Sequence, residues 1–266
     1  MDHSADERDF RLLQDDRYTF AVLSRILPGP CSLTLTDHER FILCHSVAPY
    51  PVWIWTANNL RDAEKQRAWE LADSACPLSA GHSYNLKYEL AEHFITQAAR
   101  QGLHAGVTTN MLAYDCPAPI APAHPAPGRL HRCTVEDVAE VAAMIYEFHE
   151  SVGDSRFDMD TCRQLAAHHV AGHFYFWKDA QDETVACCSF SPSGDLGSVG
   201  SVYTVPRHRR KHYAQQLVYE VTRIVADAGL IPMLYTDADY VASNACYEKI
   251  GYVQRGRLCT LGVIRE

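Results

Sequence analysis

The chain has 266 residues, of which 47% are hydrophobic, 21% charged and 10% aromatic, a mixture that excludes a disordered, collagen-like or low-complexity protein. Lys and Arg number 24 against 33 Asp and Glu, a formal charge of −9; repulsion from phosphate backbones excludes non-specific nucleic-acid binding as the main activity and leaves small molecules or proteins as partners. No uninterrupted apolar run is long enough to span a bilayer, and residues 1–16 are rich in Asp and Arg, so a soluble, cytoplasmic protein without a membrane partner is expected.

The ten cysteines are scattered without a CxxC pair and read as reduced, mostly buried thiols. His168, His169 and His173 have no acidic or thiol partner at ligand spacing, so no metal ligand is assigned. At this length a core forms without metal or disulfide support.

In chain order, strand-like apolar runs at Ser32–Thr36, Phe41–His45 and Pro51–Thr56 precede helix-like stretches at Leu60–Ala75 and Leu86–Gln101 and a short strand at Ala105–Ala113. Residues 1–115 therefore read as an α/β or α+β domain of unassigned role, with Trp53, Trp55 and Trp69 in its core. From Cys116 to Gly128 five prolines alternate with small residues, a composition that reads as a linker, 116–128.

Residues 129–266 form the second domain. Thr134 with Asp137 resembles a capping box opening a helix to about Glu150, and a second helix fits Met159–Val170. Strands follow at His173–Lys178, Thr184–Ser191 and Gly200–Val205, then a helix at Tyr213–Ala228, a strand at Pro232–Asp237, a helix at Ser243–Ile250 capped by Gly251, and a strand at Tyr252–Leu261. The order is ααβββαβαβ.

The chemistry is concentrated between Val202 and Ala214. A β-type run stopped by Pro206 leads into a basic turn, with Arg207, Arg209, Arg210 and Lys211 in five positions, and then into a helix. The first amides of a helix lack internal acceptors and the macrodipole is positive there, so this is a place for a phosphate or pyrophosphate. The second feature is Tyr247-Glu248-Lys249-Ile250-Gly251-Tyr252, preceded by Leu234-Tyr235-Thr236-Asp237 and Ser243-Asn244.

Together these segments resemble the GNAT superfamily of acyl-CoA-dependent N-acyltransferases, in particular a bacterial-type subgroup with an extra N-terminal region. Its pattern is a strand, Q/R-x-x-G-x-G/A, a helix, and later Y-x-K-x-G-F/Y. The first motif falls on Arg209, Arg210, Lys211, His212, Tyr213 and Ala214, and the likeness spans about Leu130 to Leu261. The resemblance implies a mixed central sheet in the C-terminal half, with the smaller N-terminal domain open to being a degenerate copy of the same fold. It implies acetyl-CoA as cofactor, held by the backbone of Val202, Tyr203, Thr204 and Val205, by the basic loop and by Asn244. A primary amine of a small molecule or a protein then attacks directly, and Tyr247 protonates the departing thiolate, since a phenol with pKa near 10 is protonated at pH 7. Asp237 is the nearest candidate base or amine anchor. Glu147 and His149 receive no role.

The sequence departs from the pattern at two places. His212 replaces a Gly, which puts a Cβ where the backbone approaches the pyrophosphate. Tyr240 stands where many members have an Asn for the pantetheine arm. These departures, with no acid in the fourth strand, motivate the alternative of a non-catalytic acyl-CoA-binding regulatory module. Neither the amine nor the oligomeric state is legible.

Overall fold

A computed structural model describes residues 1–152 and 157–264, which gather into two compact units. The first comprises Met1–Ala113, Thr236–Asp239 and residues 255–264; the second comprises the described parts of Tyr114–Tyr235 and Tyr240–Gln254.

In the first half the chain forms α1 (Glu7–Leu12), α2 (Ala21–Ile26), β1 (Leu33–Thr36), β2 (Phe41–His45), β3 (Val52–Thr56), α3 (Asp62–Ala75), β4 (Tyr84–Leu86), α4 (Tyr88–Arg100) and β5 (Ala105–Asp115). Helix α1, unforeseen in the sequence, begins in a capping box in which the Asp6 amide donates to Asp9. Asp9 is itself fully buried because its carboxylate also accepts from the Thr36 hydroxyl and meets the His38 ring. Strands β2 and β3 are buried at every position, so their apolar runs carry no alternation. Trp53 and Trp55 on β3 and Trp69 on α3 are core residues, as expected.

The second half forms β6 (Arg129–Arg132), α5 (Val138–Ser151), α6 (Met159–Ala171), β7 (Phe174–Lys178), β8 (Thr184–Ser193), β9 (Leu196–Thr204), α7 (Tyr213–Asp227), β10 (Ile231–Asp237), α8 (Val241–Ile250) and β11 (Val253–Val263). The Thr134–Asp137 capping box opens a 3-10 turn that runs into α5. The β8–β9 hairpin is longer than the sequence pattern suggested, since Pro192 and Ser193 pair with Gly197 and Leu196. Helices α5 and α6 pack Val141, Ile145, Cys162 and Ala166 with Phe174, Phe176, Cys187 and Tyr203 of the strands. Helix α7 packs against β8 and β9, where Gly197 leaves room for Val225.

The first unit's sheet has the order β1-β2-β3-β4-β11, antiparallel except for β3–β4. The second unit's sheet has the order β10-β9-β8-β7-β6, antiparallel except for β9–β10. Two helices, three antiparallel strands, a helix, a parallel strand, a helix and a final strand thus occur twice along the chain. The mixed α/β architecture is as expected, and the first half repeats the element order of the second without its motifs.

The Pro-rich segment is not a free linker. The Cys116 amide donates to the Pro232 carbonyl at 2.8 Å, the Ile120 amide to the Ile250 carbonyl at 2.7 Å, and the Trp177 indole to the Pro127 carbonyl at 3.0 Å. Prolines lack amides but keep their carbonyls, so the segment lies as a strap along the second unit, trading polar contacts at its non-proline positions.

Candidate active site: a split pair of strands, a basic loop and a tyrosine

Strands β9 and β10 pair in parallel only from Leu196–Ile231 to Val199–Leu234, although β9 continues to Thr204. Beyond Val199 the backbone of β9 therefore has no strand partner on its β10 side among the described residues. The parting begins at a bulge. Cys187 faces Tyr203 and Ser189 faces Gly200, so Ser201 and Val202 together oppose Cys188, and Ser201 adopts φ 50°. Val202, Tyr203 and Thr204 thus lie on an opened strand edge that an extended ligand can line, with the Thr204 carbonyl already taken by Arg209, and Val205 follows as the bonded lead into the loop.

From Val205 the chain makes a 3-10 turn at Pro206–His208 and enters α7 through two left-handed residues, Arg210 at φ 64° and His212 at φ 65°. His212 thus occupies the backbone conformation that a glycine would supply, and its side chain is exposed. Alternating backbone handedness of this kind turns successive amides toward one concavity. Among the described residues, the amides of His212, Tyr213, Ala214 and Gln215 have no acceptor, and the first bond of the helix is Gln216 to His212.

The four cations are not equivalent. Arg207 is paired with Glu183. Arg209 donates to the Thr204 carbonyl at 3.1 Å and lies 5.8 Å from the Tyr203 ring centre, tying loop to strand. Arg210 and Lys211 are exposed and have no carboxylate partner among the described residues, so they are the charges available to an anion.

Tyr247 on α8 is 8% exposed, and burial, reinforced by the neighbouring Cys188 and Cys246 thiols, pushes its phenol well up from the usual tyrosine value. It stays protonated throughout the physiological range. Its hydroxyl makes no hydrogen bond among the described residues, and it is not one of the fully sealed polar atoms. The adjacent Tyr252, 6.0 Å away ring to ring, differs: its hydroxyl bonds Thr222 at 2.8 Å, and Thr222 bonds the Val218 carbonyl. One tyrosine is structural and the other keeps its proton free. Gly251, at φ 103°, ends α8 where the Ala118 carbonyl of the strap leaves no room for a Cβ. Asn244 lies half-buried in the first turn of α8, and Tyr240 is the exposed residue preceding that helix.

Asp237 belongs to the other compact unit, in which its carboxylate accepts from the Asp239 amide at 3.0 Å. Glu147, given no role in the sequence, touches the opened strand: its carboxylate accepts from the Tyr203 hydroxyl at 3.1 Å. No sequence signal links residues 56 positions apart; only the packing of α5 on β9 does.

The first unit lacks this chemistry. At the corresponding step from β3 to α3 the first turn carries Asp62 and Glu64, and Glu64 already accepts from the Arg61 amide. Two surface cavities of this unit, of about 460 and 200 Å³, are lined by none of the motif residues.

The model of the Acetyltransferase (GNAT) family matches residues 136–252. This segment is a GNAT acetyltransferase domain. Solved structures extend the likeness of fold to nearly the whole chain. A protein of Drosophila melanogaster is 14% identical with a TM-score of 0.67, over 97% of this chain and 90% of that one. A GCN5-related N-acetyltransferase from Kribbella flavida is 14% identical with a TM-score of 0.66, over 95% and 96%. One from Sphaerobacter thermophilus is 12% identical with a TM-score of 0.65, over 87% and 83%. No curated protein matches the chain. A GNAT domain implies acyl transfer from a CoA thioester, and the opened strand, unpaired amides and free cations fit such a group. No helix among the described residues is long and apolar enough to cross a membrane.

Proposed function

We propose that the protein is an N-acetyltransferase that moves the acetyl group of acetyl-CoA to a primary amine of a small molecule or protein by direct attack. The observation that carries this reading is the combination, within one unit, of an opened β9 edge, an amide-rich basic loop and a buried tyrosine whose hydroxyl is unengaged. When bound, acetyl-CoA supplies the activated thioester carbonyl.

The chain's own residues do the rest. The amides at the start of α7 with Arg210 and Lys211 take the pyrophosphate, and the backbone of Val202–Val205 takes the pantetheine and polarises the carbonyl. Asn244 adds a contact from α8. As the carbon–nitrogen bond forms and the carbon–sulfur bond breaks, Tyr247 gives its proton to the leaving sulfur, and a carboxylate accepts the proton lost by the amine. Asp237 is the base inferred from the motif, and Glu147, bonded to Tyr203 on the opened strand, is the second candidate.

Isothermal titration with acetyl-CoA and CoA release with a panel of amines test the proposal. Binding at micromolar to millimolar cofactor and release with at least one amine are expected. Binding without release for every amine favours the regulatory-module alternative, and absence of binding overturns both. Asp237→Asn and Glu147→Gln separate the bases: loss of kcat together with the acidic limb of its pH profile identifies the proton acceptor.

A further inference from the structure

At the end of β2, far in sequence from every residue used above, His45 is buried with its Nε2 hydrogen-bonded to nothing. Its tautomer follows from its partners. The Ser32 hydroxyl donates its only proton to the His45 carbonyl at 2.9 Å, since a carbonyl can only accept, and the same oxygen lies 3.1 Å from Nδ1. Nδ1 therefore carries the ring proton and donates to Ser32, which leaves a lone pair on the sealed, unpartnered Nε2. Burial, then the neighbouring His82, lower the pKa of His45. An unmet lone pair in an apolar interior is costly unless a Lewis acid takes it.

Two further ligand types converge there. The donor atoms of His45, Cys76 and His82 lie within 4.8 Å of one another, and the two imidazoles stand perpendicular with centres 5.3 Å apart. Cys76 closes α3, and its backbone is fixed by the hydrogen bond its amide donates to the Ala72 carbonyl and by the one its carbonyl accepts from the Tyr84 hydroxyl at 2.7 Å. His82 is half-buried just before β4, which gives an ion a way in. Tetrahedral Zn²⁺ with bonds of about 2.0 Å to nitrogen and about 2.3 Å to sulfur spaces its ligands about 3.5 Å apart, within reach of small side-chain rotations. In the other comparable clusters the carboxylates are engaged: Asp2 and Asp9 bond His38, Asp137 bonds His131, and beside His208, whose ring nitrogens also have no hydrogen-bond partner among the described residues, Arg207 holds Glu183 while Asp179 accepts from the Gln181 and Glu183 amides.

We propose that His45, Cys76 and His82 form a divalent metal site of the zinc class, with water or a small anion as fourth ligand, pinning the end of α3 to β2 and β4. Two imidazoles and a thiolate select zinc or a similar borderline ion over magnesium or calcium. Ser32 orients the His45 ring as an outer partner. Coordination deprotonates the Cys76 thiol, whose pKa burial otherwise raises, and releases that proton to solvent.

The test uses the full-length protein stripped with a chelator and titrated with Zn²⁺ or Co²⁺ alone. The expected results are one metal per chain, about one proton released per metal, a thiolate-to-cobalt charge-transfer absorption, and a rise in Tm with added Zn²⁺. His45→Gln and Cys76→Ser should abolish these signals, and His82→Asn should weaken binding. Ser32→Ala, which keeps all three ligands and serves if the others fail to fold, should weaken it about tenfold. Cys44→Ser should change nothing, because that thiol is engaged with Cys31 at 3.1 Å. Failure of the wild-type chain to bind either ion, or unchanged binding in folded His45→Gln or Ser32→Ala protein, overturns the site.

Discussion

Tyr247 and Tyr252 lie five positions apart and are both buried, yet their hydroxyls have opposite fates. Removing the Tyr252 hydroxyl takes one partner from Thr222 in a closed interior, so Tyr252→Phe should lower stability by about 1 kcal/mol in urea unfolding without touching the chemistry. Tyr247→Phe breaks no protein hydrogen bond. It should unfold like wild type while kcat falls by about 10²–10⁴, the usual contribution of a positioned proton donor; equal kcat would remove Tyr247 from the reaction. At His212 the left-handed backbone sets a ranking. Gly should match or exceed His in stability and cofactor affinity, whereas a β-branched Val should lose roughly 2 kcal/mol, checked by unfolding of the two variants.

At the scale of elements, the basic loop divides its charges by what each already touches. Arg210→Ala with Lys211→Ala should weaken acetyl-CoA binding about tenfold per charge, about 1.4 kcal/mol each, and flatten its salt dependence, as calorimetry at two ionic strengths would show. Arg207→Ala should leave affinity within error, because Glu183 already holds that guanidinium. The order of charges was legible from sequence; their availability was not, because Glu183 reaches Arg207 only through the fold. Likewise, the strand and helix runs of the second half were legible because their apolar periodicity is strong. Short elements such as α1, α2 and β4 were not, since six or three residues carry too little pattern.

Over the whole molecule, the last strand matters more than its position at the end of the chain suggests. Cys259 pairs with Leu86 and Leu261 with Tyr84, and both residues are completely buried in the first unit's core. Leu261→Ala should therefore destabilise that unit by about 2–5 kcal/mol, measurable as earlier loss of its cooperative unfolding, while acetyl-CoA affinity of the GNAT domain is retained. A division at the proline-rich segment could not foresee this, because strand pairing between residues 175 apart leaves no trace in local composition.

What the sequence alone determined was local: the Val202–Ala214 and Tyr247–Tyr252 motifs, the long helices and the buried strands, all set by spacing along the chain. The fold decided which amides lack acceptors, which arginine is free, which tyrosine keeps its proton, and that His45 meets Cys76 and His82. These depend on distances between segments remote in sequence, and burial and hydrogen bonding acquire a value only once those segments are packed.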